Sequence, residues 1–104
     1  MTMNNTEATL DEQINQATKA AHEARLEAAA ADRLSQEGTL DGDEALRRYD
    51  DYIQKSSRCT ALEREAARLL HERDGTDAWK LRGGTPMTNQ EIVAREIART
   101  NGGH

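Results

Sequence analysis

Asp50 and Asp51 adjoin, with Asp41 and Asp43 a short way upstream. Paired carboxylates can move protons or hold a metal ion. The spacing argues against both uses. Neighbouring residues on a helix point about 100° apart, and Asp41 and Asp43 stand where a helix start needs a capping acceptor. His22, His71, His104 and Cys59 show none of the local spacings of zinc sites, such as paired cysteines two apart or histidines one turn apart. They read as solvated or packing side chains. Cys59 reads as a small apolar residue with no histidine near it in sequence. Arg82-Gly83-Gly84-Thr85 lacks the glycine pattern, the following lysine and the preceding strand of a phosphate loop. No catalytic, metal or cofactor residue is therefore assigned, and the expectation is a protein that is not an enzyme.

Basic side chains are the remaining chemical resource. Arg47, Arg48, Lys55, Arg58, Arg64, Arg68 and Arg73 fall on one predicted helix, interleaved with Asp50, Asp51, Glu63, Glu65 and Glu72. A helix that reads DNA gathers its bases on one face. Interleaving instead describes a solvated surface laced with ion pairs. Residues 1–44 hold ten acids and three bases, and residues 45–104 hold nine acids and eleven bases, against a net charge of −5. The C-terminal excess makes Lys80, Arg82, Arg95 and Arg99 the candidates for nucleic-acid contact. The acidic first part permits mimicry of a nucleic acid instead.

These groups need elements to hold them. A chain of 104 residues allows one domain. Leu, Ile, Val and Phe supply 14 residues, about 13 per cent, below the roughly 20 per cent at which low hydrophobicity with net charge begins to suggest disorder. Ala, Glu, Arg, Leu and Lys recur with helical period, as in long helices and coiled coils. The two facts agree if helices bury apolar surface between chains, because one copy alone has little to bury against chain entropy. No apolar run suits a signal peptide or membrane span, and the single cysteine favours a reducing compartment, so the expected location is cytoplasmic.

Residues 1–8 read as a tail. Thr9 and Glu12 form a capping box. Leu10, Ile14, Ala17, Ala21, Ala24, Ala28 and Ala31 then alternate spacings of four and three, an a/d seam made almost wholly of alanine. Leu26, Ala30 and Leu34 form a stripe on nearly the opposite side. The helix is expected to stop near Glu37, with Gly38-Thr39-Leu40-Asp41-Gly42 as a turn. The second helix runs to about Arg73, where Asp74-Gly75 ends it. Its early seam is Leu46, Tyr49 and Ile53. After Ser56 the seam moves to Cys59, Leu62, Ala66, Leu69 and Leu70, with Ser56, Thr60 and Glu63 as poor seam residues. A turn centred between Thr39 and Leu40 would set position i opposite 79 − i. Tyr49 would then face Ala30, in a large-on-small seam.

Residues 75–87 read as a linker in which Trp79 docks on a hairpin end and Arg82 to Pro86 is a flexible connector. Thr88 and Glu91 form a second capping box, with Met87 and Ile92 as a hydrophobic staple. The third helix spans 88–101 and residues 102–104 are a tail. The fold class is therefore all-α: a long, antiparallel, coiled-coil-like hairpin (9–74) plus a short C-terminal helix, assembling as a homodimeric helical bundle. The function expected is a non-enzymatic adaptor, regulator or inhibitor acting through protein contacts. Trp79, Tyr52, Leu26, Leu34, Ile92, Val93 and Ile97 are the candidate partner-binding residues. The alternative is a nucleic-acid-associated accessory protein.

Overall fold

The computed structural model describes residues 9–37 and 42–101. Among them it is all-helical: α1 (Leu10–Ser35), α2 (Gly42–Asp74), a 3-10 turn (Thr76–Trp79) and α3 (Asn89–Asn101). Residues 38–41 of the expected GTLDG turn, both tails and His104 fall outside the described residues, and Gly42, expected in the turn, opens α2.

Thr9 starts α1 as expected. Its hydroxyl accepts the Glu12 N–H at 3.1 Å, and the Glu12 carboxylate accepts the Thr9 N–H at 3.0 Å. Two orphan donors of the first turn are thereby satisfied. The alanine seam is buried as its spacing requires: Ile14, Ala21, Ala24, Ala28 and Ala31 all lie inside. Thr18 is buried beside them and donates its hydroxyl to the Ile14 carbonyl at 2.9 Å, the usual way to satisfy a hydroxyl within a helix.

What the seam faces differs from the expectation. Arg25 pairs with Glu63, Glu27 with Arg58, and Glu37 with Arg48. Those positions sum to 88, 85 and 85 rather than 79, a shift of about one heptad. The alanines therefore meet the later part of α2: Ala21 lies with Ala66, and Ala24 and Ala28 lie with Cys59 and Leu62. The centre of the hairpin is small on small, which lets helix axes approach closely. Larger residues gather at its base, where Ile14, Leu69, Leu70, Trp79 and Ile92 form one cluster.

Leu46, Tyr49 and Ile53 are correspondingly not a scaffold seam; they are 68%, 57% and 40% exposed. In the observed register the first turns of α2 lie past the end of α1 at Ser35, and Ile53 lies level with the last turn of α1 but on a side that α1 does not cover. Glu63, read as a poor seam residue, is buried in the seam because Arg25 reaches it.

Gly75 ends α2 with φ +85°, a conformation that suits glycine. The stretch expected to be a flexible connector is a hydrogen-bonded turn. Leu81 N–H donates to the Thr85 carbonyl at 2.7 Å and Gly84 N–H to that of Leu81 at 2.9 Å. Gly83 and Gly84 supply the positive φ values the reversal needs. Met87 N–H then donates to the Trp79 carbonyl, which ties the turn to the 3-10 segment.

The Thr88–Glu91 capping box starts α3, with hydrogen bonds of 2.8 and 3.2 Å. Ile92 packs at the base with Met87 beside it, while Val93 and Ile97 pack towards Ala21 and Ala66. The side chains gathered around α3 run from Leu10 to Arg25 on α1 and from Leu62 to Arg73 on α2. A third helix thus covers the base half of the hairpin and leaves the tip half bare.

Candidate functional site

The tip half of the hairpin presents the first candidate surface. Leu46, Ile53, Thr60 and Ala67 are spaced by seven residues and so share one side of α2. At Ala67 that side is buried in the cluster that holds Ile92. At Ile53 and Leu46 it is open to solvent. Tyr49 lies beside this stripe, and its ring meets Tyr52 at 6.3 Å between centroids with a 48° tilt. On α1, Leu26 and Leu34 are 58% and 47% exposed on the side turned away from the alanine seam. Five large apolar side chains are therefore exposed on the tip half of a chain that has few to spare.

Most charges around the tip are paired within the chain. Arg48 bridges Glu37 and Glu44, Lys55 meets Asp51 at 3.1 Å, and Arg58 meets Glu27 at 3.4 Å. Asp51 is thus an ion-pair partner on a helix surface, not half of a carboxylate pair.

The second candidate site lies at the base, where a cleft of about 480 Å³ opens between the end of α2, the 3-10 turn and α3. Arg73, Asp74, Ala78, Trp79, Arg95 and Arg99 line it. Its anchor is Glu96, which is only 2% exposed. Arg73 donates to the two Glu96 oxygens at 3.2 Å each, and Arg99 donates to them at 2.9 to 3.1 Å. Burial opposes the charge of Glu96, but the hydrogen bonds from Arg73 and Arg99 outweigh it and hold the carboxyl below its usual range. Arg73 also grips Asp74 in a two-pronged pair at 2.7 and 2.8 Å, and Trp79 Nε1–H donates to the same carboxylate at 3.1 Å. The Arg73 hydrogen bond is the main reason that Asp74 is held low.

A smaller ionic device lies mid-hairpin. Arg25 donates to both Glu63 oxygens at 2.8 and 2.9 Å. Cys59 is buried beside this pair, and burial, reinforced by Glu63, pushes its thiol up. A thiol so held is a poor nucleophile. Among the described residues no group of three or more His, Cys, Asp or Glu is placed to hold a metal ion. No described helix is long and apolar enough to cross a membrane.

The structure separates the candidate partner-binding residues. Trp79, Ile92 and Val93 are buried in the chain's own clusters, Trp79 keeping only the edge that lines the cleft, and Ile97 packs half-buried against the same hairpin. Leu26 and Leu34 stay exposed, and Tyr52 is half-buried beside Tyr49. Among the basic candidates, Arg95 and Arg99 share the cleft, while Lys80 pairs with Asp77 at 2.9 Å and Arg82 sits in the exposed turn.

Sequence reasoning passed over Glu63 and Glu96. The signal was present. Glu63 is four residues after Cys59 and seven before Leu70, and Glu96 is four after Ile92, so each carboxylate stands in an apolar stripe. Comparison with protein-family models, curated proteins and solved structures finds no match.

Proposed function

We propose that the protein is a small, non-enzymatic interaction module that acts through protein contacts at the tip of its hairpin, and that a second copy of the chain is the first occupant of that surface. The observation that supports this reading is the exposure of Leu46, Tyr49 and Ile53 along the side of α2 that α3 covers lower down. Monomeric proteins seldom leave a continuous apolar stripe open, and such stripes mark association sites. A second hairpin laid against the tip would complete the helical cover that α3 begins, giving a four-helix arrangement. The described tip residues 26–60 carry seven acids and five bases, most of them paired within the chain, and physiological salt screens the acidic excess that a copy would meet. The Leu26–Leu34 side of α1 remains open for a further protein, which makes adaptor or regulator the functional class.

Light scattering across concentration tests the proposal. The wild-type chain should weigh as a dimer at micromolar concentration, and the Tyr49→Glu, Ile53→Glu double variant should weigh as a monomer of unchanged helicity. A wild-type chain that is monomeric throughout would remove the second copy from the account.

A further inference from the structure

We propose that the cleft at the base of the hairpin binds a phosphate group. Three guanidiniums line it: Arg73 from α2, with Arg95 and Arg99 one turn apart on α3. Two carboxylates stand among them, Glu96 and Asp74, so the site carries one net positive charge. Both carboxylates are already engaged. Glu96 receives four hydrogen-bonding nitrogens, and Asp74 is held by Arg73 and Trp79. These bonds fix the guanidiniums of Arg73 and Arg99 before any ligand arrives, which lowers the ordering cost of binding.

Donors remain in surplus. Arg95 makes no ion pair among the described residues, and its one side-chain hydrogen bond among them is from Nη1 to the Met87 sulfur at 3.7 Å. Arg99 is 61% exposed at its side chain, and its Nη1 has no acceptor among the described residues. A guanidinium's fork of N–H groups matches a tetrahedral anion with several oxygens, and after Glu96 and Asp74 are served the Arg95 fork and Arg99 Nη1 are left to meet one. The volume of about 480 Å³ accommodates a phosphate with an attached group. Inorganic phosphate, a mononucleotide and a nucleic-acid backbone all present this chemistry.

Calorimetry on the full chain tests it, with inorganic phosphate, a mononucleotide and a short single-stranded oligonucleotide as probes and acetate as the control anion. Phosphate should bind with a change in the fluorescence of Trp79, the sole tryptophan, which lines the cleft. Arg95→Gln, which breaks no ion pair, should weaken binding about tenfold. Arg82→Gln, in the exposed turn, should leave it within about twofold. Equal affinity for the three probes identifies a small phosphate ligand. An oligonucleotide that binds tighter, with a salt dependence that Arg95→Gln reduces, identifies a nucleic-acid backbone. Absence of phosphate binding up to about 10 mM, equal binding of acetate, or equal loss in both variants would overturn the proposal.

Discussion

At the scale of single residues, two buried carboxylates fix where the helices meet. Glu96 is held low because Arg73 and Arg99 outweigh its burial. A carboxyl lowered on folding adds stability that is present above its unfolded value, about 4.3, and is lost as pH falls through the folded value. Asp74, lowered chiefly by Arg73, acts in the same sense. Denaturation midpoints should therefore fall as the medium is acidified below about pH 4. Glu96→Gln should flatten that slope and cost about 2 kcal/mol at neutral pH, since two charge-assisted partners lose their acceptor. Arg25→Ala should cost about 3 kcal/mol, because it leaves Glu63 buried without its counter-ion. Arg25→Ala, Glu63→Gln together should cost less than Arg25→Ala alone, measured by the same denaturation series.

At the scale of elements, the helices were legible and their register was not. Thr9 and Glu12, Thr88 and Glu91, and the end of α2 beside Gly75 are local chemistry, and local chemistry can be read along a chain. The alanine seam was legible for the same reason. A slip of one heptad leaves the same faces of two helices in contact, so periodicity cannot distinguish pairing at 79 from pairing near 86. The choice rests on Arg25 meeting Glu63 and on Ala21 meeting Ala66, contacts between residues more than thirty-five apart in sequence. The cleft was half legible: Arg95 and Arg99 were marked by their charge and Glu96 sits one turn before Arg99 on the same helix, but Arg73 joins them only through the path of residues 75–88. Ala66→Leu tests the small-on-small contact. It should cost about 1–3 kcal/mol by overpacking, where an ordinary exposed alanine would tolerate the change. Thr88→Ala should cost about 1 kcal/mol through the lost cap of α3.

At the scale of the whole molecule, one arrangement links composition to proposed function. Few large apolar residues are present, and most of those at the base hold α3 and Trp79 against the hairpin, while Leu81 in the turn is 41% exposed. The tip keeps Leu46, Tyr49 and Ile53 at the surface because they lie on a side of α2 that α1 does not cover and α3 stops short of them. The molecule thus divides into a closed base with an arginine-lined cleft and an open apolar tip. The claim that a second copy covers the tip is tested most directly by hydrogen exchange, residue by residue, at several protein concentrations. Amides of residues 42–56 should gain protection as concentration rises, while those of α3 should not change. Protection of 42–56 that stays constant with concentration would contradict the account, as would a rise confined to α3.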